Sequence, residues 1–344
     1  MPQSDQRERR AIGPLLALLA AVAYATVNAL LRSVAADVDP FVGSLIRQLP
    51  LLVVGLVIVL VLRPKTLRPG TPSFIGLRGV VLLMLGGTLS FLIGNVLLFQ
   101  GLDLVGLAIA TAASQGGMAA GGALVSWIFL KERTTRVQLL AILVVIAGLI
   151  VMSAPAFSTE TQGSGALLGI VFSALAGTCY TVANVASRSV QRRPKTFITA
   201  LFLTNLGGVI ALVTAVAVRF GGDIERATVD LYGTTLAILF AAGCVNAIAI
   251  ASVTLAVRFA TITVVSTTVS LVIVFGLMIA WLVFDEPMAA NTLVGAAIIL
   301  LGVLLAQLRS RSNKTPESAL VADAHRSARR SDADPTTQTK EKSS

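Results

Sequence analysis

Charge is scarce in this 344-residue sequence. Only 13% of its residues are charged and 55% are hydrophobic, against roughly 25% charged in water-soluble domains. So few ions cannot cover the surface of a soluble fold. Histidine occurs once, as His325 in a polar tail, and cysteine twice, as Cys179 and Cys244 inside apolar runs. The cysteines read as small core residues rather than as a disulfide or a metal site. Of the 17 acidic residues, none falls in the middle of an apolar run. A membrane-embedded hydrolase or metal-dependent enzyme needs carboxylates or histidines at depth, and a divalent-cation carrier needs charged oxygen ligands. No Walker loop is present, so nothing in this chain couples to ATP. No catalytic residue, metal or cofactor is expected, and the chain is not expected to be an enzyme.

Long apolar runs are what the sequence does have. Mean hydropathy is +0.85, and runs of about 20 residues, the length that spans a hydrocarbon core as helix, recur from end to end. The shorter alternating segments of a membrane barrel are missing. The expected fold is therefore all-α and integral to the membrane, with ten transmembrane helices over 11–31, 41–62, 79–99, 104–130, 137–153, 164–187, 197–217, 231–252, 259–284 and 291–308. Turn signals such as Asp39-Pro40, Arg68-Pro69-Gly70, Gly221-Gly222-Asp223 and Asp285-Glu286-Pro287 separate them. Residues 1–10 read as a cytoplasmic N-terminal segment. The polar stretch 309–344, rich in Ser, Thr, Arg, Asp and Lys, reads as a disordered cytoplasmic tail. The first run resembles a cleavable signal peptide, with arginines ahead of it, but it is longer than a signal core and its pattern recurs later in the chain.

The net charge of +10 belongs to loops and tails rather than to a nucleic-acid surface. With the N-terminus inside, the cytoplasmic loops hold Arg63, Lys65, Arg68, Arg78, Lys131, Arg133, Arg136, Arg188, Arg192, Arg193, Lys195 and Arg258. The opposite loops hold only Arg32, Arg219 and Arg226. This asymmetry places both termini in the cytoplasm of a multi-pass protein of the plasma (inner) membrane.

The two halves repeat. Tyr24, Asn28, Arg32, Ser33 and Val34 match Tyr180, Asn184, Arg188, Ser189 and Val190 at an offset of 156. Trp127, Glu132 and Gly148 match Trp281, Glu286 and Gly302 at an offset of 154. Identities in Tyr, Asn, Arg, Trp and Glu stand out against an apolar background. Each unit, 11–153 and 164–308, holds five spans, so the second lies upside down relative to the first. Inverted repeats are a transporter architecture with its site near the midplane.

On these residues the chain resembles the drug/metabolite transporter superfamily, EamA type. The resemblance covers 11–308 and rests on the five-plus-five repeat and on the helix ends Trp127-Ile-Phe-Leu-Lys-Glu132 and Trp281-Leu-Val-Phe-Asp-Glu286, each followed by a helix with a late glycine. Arg47 also resembles an arginine common in the family's second span. Where the family often has a proline ahead of each glutamate, this chain has Ala119 and Ile273, which leaves breaks in spans four and nine open, with Gly116, Gly117, Gly121 and Gly122 as substitutes in span four. The resemblance implies a transporter with a central cavity and leaves the substrate open.

Candidate substrate-binding residues follow from the cost of polar groups in lipid. Tyr24 and Asn28 share a helix face at a spacing of four, and Tyr180 and Asn184 repeat it. They line a cavity or serve as interhelical glue. Arg47 lies about seven residues into span two, opposite Leu203 at an offset of 156. It attracts an anionic group, snorkels to the external surface, or pairs with Asp37, Asp39 or Asp103. Gln115, with Thr111 and Ser114, sits in span four, and Asn95 and Asn246 lie in spans three and eight. The repeat-matched Trp127, Glu132, Trp281 and Glu286 read as helix-end supports, the glutamates capping or bridging the helix that follows.

The expected function is export or exchange of a small polar metabolite or drug-like molecule, by a mechanism without a buried proton-carrying acid. The alternatives are an enzyme or flippase acting on a lipid-linked substrate, or a non-transporting scaffold. The expected partners are the small-molecule substrate and the bilayer, with no nucleic acid, and the oligomeric state is open, a monomer included.

Overall fold

The computed structural model describes residues 3–62, 75–129, 136–153, 163–190, 197–229, 231–286 and 288–308. Among these residues there is no strand. The first repeat contributes α1 (Gln3–Arg32), α2 (Pro40–Leu62), α3 (Leu77–Gly87), a π-helical turn (Thr88–Gly94), α4 (Asn95–Phe129) and α5 (Arg136–Ser153). The second contributes α6 (Gly163–Val190), α7 (Phe197–Arg219), α8 (Ile224–Thr228), α9 (Gly233–Phe259), α10 (Ile262–Val269), α11 (Val272–Phe284) and α12 (Ala290–Leu308). Among the described residues, eight helical stretches are long and apolar enough to cross a membrane, and Leu139–Met152 is a shorter apolar helix.

The side-chain distribution is that of a fold solvated by lipid. Ala17, Ala20, Ala21 and Ala25 of α1 are fully buried, while Leu15 and Leu19 face outward. On α2, Val53, Val54, Leu56, Val57, Leu60 and Val61 are all exposed. Lipid tails are as apolar as leucine, so helix association gains little from burying large aliphatics and relies on close approach of small residues. Gly117 backs onto Ala174 and Gly177 onto Ser114. Gly121 lies against Thr178, whose hydroxyl donates to the Gly117 carbonyl at 3.1 Å. Gly117 and Gly121 of span four thus serve packing of α4 on α6, while Gly116 faces Val145 of α5.

The breaks fall elsewhere than the sequence suggested. One apolar stretch runs for 46 residues, Leu77–Gly122, roughly twice what a hydrocarbon core needs. It is interrupted at Gly106, whose φ of 77° and ψ of 178° interrupt the helical path. The turn expected between 99 and 104 is helix, and the polypeptide turns at Gly106 instead. Span nine is broken between α10 and α11 at Ser270 and Leu271, directly ahead of Ile273 and without a proline. The expected N-terminal segment is continuous with α1 from Gln3. The short α8 follows the left-handed pair Gly221 (φ 63°) and Gly222 (φ 80°), and the Asp223 side chain caps it by accepting from the Arg226 amide.

The repeat is visible as a seam. A Cβ on Gly148 of α5 would meet Ile299 and Gly295 of α12, and one on Gly302 of α12 would meet Val145 and Ala141 of α5. Adding 154 to one set of numbers gives the other. The two helices therefore pack antiparallel through the same surface, as a local two-fold axis between the repeats requires. A second such meeting occurs where the Asn205 side-chain amide of α7 donates to the Gln48 carbonyl of α2 at 3.3 Å. Gln48 and Asn205 are 157 apart, and Leu49 and Leu206 follow them. On that register the counterpart of Arg47 is Thr204, one residue beyond Leu203.

Candidate functional site

Arg47 enters the interior on α2, about 10 Å along the helix from Pro40 at a rise of about 1.5 Å per residue. Two backbone features hold it there. Pro50 lacks an N–H, which leaves the carbonyl of Ile46 without its helical donor. Gly243 lets α9 approach the Arg47 carbonyl itself. The side chain is 7% exposed, and its Nε has no hydrogen-bond partner.

The external acids do not pair with it. Asp39 is taken by Arg219, with Nε to Oδ2 at 2.7 Å, and the Arg219 guanidinium also lies over the rings of Phe41 and Phe220. Asp37 and Asp103 form no ion pair with Arg47. Snorkelling and acid pairing, two of the three roles open to Arg47 from sequence, both fail.

Two repeat-related phenols feel the charge of this cation. Tyr24 on α1 and Tyr180 on α6 both lie within electrostatic reach of Arg47. The Tyr180 hydroxyl donates to Asn95 Oδ1 at 2.8 Å, and its ring rests where a Gly94 side chain would stand. Asn95 is the first residue after the π-helical turn; such turns shift helix register and recur at functional sites. The Asn95 side-chain Nδ2 is buried without a partner. No described hydrogen bond engages the Tyr24 hydroxyl. At the 154 offset the counterpart of Asn95 is Ala249, which has nothing to offer it.

The remaining candidates divide. Asn28 donates to the Thr111 hydroxyl at 3.3 Å, tying α1 to α4. Gln115 is half-buried one turn further along α4. Asn184, the counterpart of Asn28, is exposed and stands apart from the group. The counterpart of Thr111 is Val265, so the hydrogen bond that draws Asn28 inward has no equivalent in the second repeat. Trp281 is 55% exposed on the apolar exterior, where amphipathic rings anchor at membrane interfaces. Glu132 lies outside the described residues, and of Trp127 only the helical backbone is described.

Glu286 does not cap the helix that follows it. Its Oε1 accepts from the Leu107 amide at 2.7 Å and its Oε2 from the Ala108 amide at 3.1 Å. It thus supplies the partners that the helix resuming after Gly106 would otherwise lack. Arg32 stands 3.7 Å from the same carboxylate. Both this contact and Arg219–Asp39 join one repeat to the other. The span-nine hydroxyls of Thr267 and Ser270, open from sequence as cavity lining, act as interhelical glue. Thr267 donates to Gln307 Oε1, and Gln307 Nε2 donates to Ser270, each at 2.9 Å.

An apolar exterior and an all-helical interior with a two-fold seam define a multi-pass membrane protein built of two repeats. The sequence pattern of the EamA-like transporter family matches residues 11–154 and 165–308, and the chain belongs to that family. No curated protein matches it in sequence. A solved structure described as "Crystal structure of protein" is 16% identical, with a TM-score of 0.51 over 88% of this chain and 99% of its own; this likeness concerns the fold alone.

Proposed function

We propose that the chain carries a small polar molecule across the plasma membrane through a cavity between two inverted five-helix repeats. In this reading the chain crosses ten times, with both termini cytoplasmic. The break at Gly106 divides the 46-residue stretch into two crossings, and α5 and the broken α10–α11 each supply one. Tyr24, Asn28, Arg47, Asn95, Gln115 and Tyr180 form the binding region. The observation that carries the reading is the convergence of Tyr24, Arg47, Asn95 and Tyr180, from both repeats, within a largely apolar helical interior. An uncompensated cation in lipid costs several kcal/mol, and such groups mark substrate pathways.

No acid among the described residues lies beside Arg47 to shuttle a proton. Facilitated diffusion or solute exchange therefore fits better than obligatory proton antiport. The test is flux by the purified protein in liposomes against a metabolite panel, with and without an imposed pH gradient. Saturable flux without the gradient is expected. Absence of flux for every panel member would remove the transport reading. Uphill accumulation driven by the gradient alone would remove the coupling reading.

A further inference from the structure

The polar groups around Arg47 are not balanced. The cation is 7% exposed, and its Nε finds no acceptor. A purely structural buried arginine would be expected to spend its N–H groups on carbonyls or carboxylates. Asp39 and Glu286 are committed elsewhere, Asp39 to Arg219 and Glu286 to Arg32 and two backbone amides. Gln48 and Asn205 leave side-chain oxygens open at the contact of α2 with α7, whereas the open groups by the two phenols are donors. The Asn95 carbonyl oxygen already accepts from Tyr180, so its free group is the NH2 donor. The Tyr24 hydroxyl also has a proton to give. One fixed positive charge and a set of hydrogen-bond donors therefore face the same region, without an acceptor of matching charge.

We infer that the substrate is a small organic monoanion, a carboxylate, whose negative group docks on Arg47 near Tyr24 and Tyr180. This rests on the transport reading for the word substrate, but the docking stands on the side chains alone. A guanidinium matches a carboxylate in planar two-point geometry. The Tyr24 hydroxyl and the Asn95 amide, both of the first repeat, supply the further bonds that two carboxylate oxygens accept. A single cation neutralises one negative charge, so a phosphate ester with two charges is left uncompensated. An organic cation meets repulsion. A neutral amide of the same shape cannot satisfy the charge. The region selects ligands by sign and number of charges first and by shape second.

The test is a ligand series of one shape and different charge, read as thermal stabilisation of the full-length protein in detergent. Benzoate, benzamide, benzylamine and phenyl phosphate serve as probes, with butyrate and gluconate as aliphatic monocarboxylates. A ligand that binds only the folded state raises the melting temperature in a saturable way. The expected result is stabilisation by at least one of the three monocarboxylates and none by the amide, amine or phosphate. Arg47→Gln should weaken the effective carboxylate by more than about tenfold, and Arg47→Lys should retain part of the effect. Stabilisation by benzamide equal to that by benzoate would overturn the proposal, as would preference for benzylamine or phenyl phosphate, or carboxylate binding unchanged in Arg47→Gln. Absence of saturable stabilisation by all three monocarboxylates would overturn it too. If Arg47→Gln does not fold, the charge series on the unaltered protein decides alone. The two readings fail separately. Liposome flux confined to cations or neutral molecules would leave the transporter and remove the monoanion. Arg47-dependent carboxylate binding without any flux would do the reverse.

Discussion

Glu286 shows how a residue can be legible in its importance and illegible in its role. Its repeat match with Glu132 and its place at a helix end stand out in the sequence. Nothing in the sequence says that its carboxylate reaches back to the amides of Leu107 and Ala108, because that contact depends on which ends meet in space. Gly106 was hidden for a related reason: one glycine in an apolar run looks like any other, and only its φ of 77° sets it apart. The two residues form one device, since a Cβ at Gly106 would stand 2.5 Å from Glu286 Oε1. Gly106→Ala combines a left-handed backbone with that clash and should destabilise the protein by about 1–3 kcal/mol. Glu286→Ala removes two charge-assisted bonds and should cost a similar amount, about 1–3 kcal/mol. Because both act on one cap, the double variant should lose clearly less than the sum. Thermal unfolding in detergent measures all three, and simple additivity would show that the cap and the turn are independent.

The helices themselves were largely readable. Apolar length and turn residues located most spans, since both are consequences of bilayer thickness and backbone hydrogen bonding. Partners between helices were not readable. The bond from Tyr180 to Asn95 joins α6 to the start of α4, and no periodicity reports it. The seam between α5 and α12 was half readable: Gly148 and Gly302 were visible as a matched pair, but not as the points where the two helices touch. Their substitutions should behave as equivalents. Gly148→Ala and Gly302→Ala each place a methyl within about 3 Å of the opposite backbone, against Ile299 N at 2.8 Å and Val145 N at 3.0 Å. Each should cost about 1–3 kcal/mol. Gly165→Ala has open space around it and should be neutral or stabilising by up to about 1 kcal/mol. Unequal losses at 148 and 302, or a loss at 165, would contradict the two-fold seam.

At the scale of the molecule, two ion pairs join helix ends of one repeat to those of the other. Arg32, Asp39, Arg219 and Glu286 belong to helix ends that the loop charges place outside, and the structure brings them together in inter-repeat contacts. A reporter fused after Ser344 should therefore be active only as a cytoplasmic fusion, and one inserted in 155–163 only as an external one. Activity of the wrong kind at either site would overturn the inverted arrangement. The surroundings of Arg47 were harder to read than the helices. Symmetry pointed to Tyr24 and Tyr180, which do feel the charge of one cation, and equally to Asn28 and Asn184, which part company because Thr111 on one side becomes Val265 on the other.

That departure from symmetry has an energetic meaning. In a carrier of two related halves, the inward-open and outward-open forms arise by exchanging the postures of the halves. Identical halves would make the two forms equal in free energy and equally populated at rest. Here Arg47 is answered by Thr204, Asn95 by Ala249 and Thr111 by Val265. The interior is lopsided, and each posture moves a different set of groups toward water. The two forms must then differ in free energy, and a difference of only 1.4 kcal/mol biases an unloaded carrier about tenfold toward one side. On the proposed transport reading, the empty protein would wait on a preferred side of the membrane, and a charge-neutralising ligand at Arg47 would shift that preference.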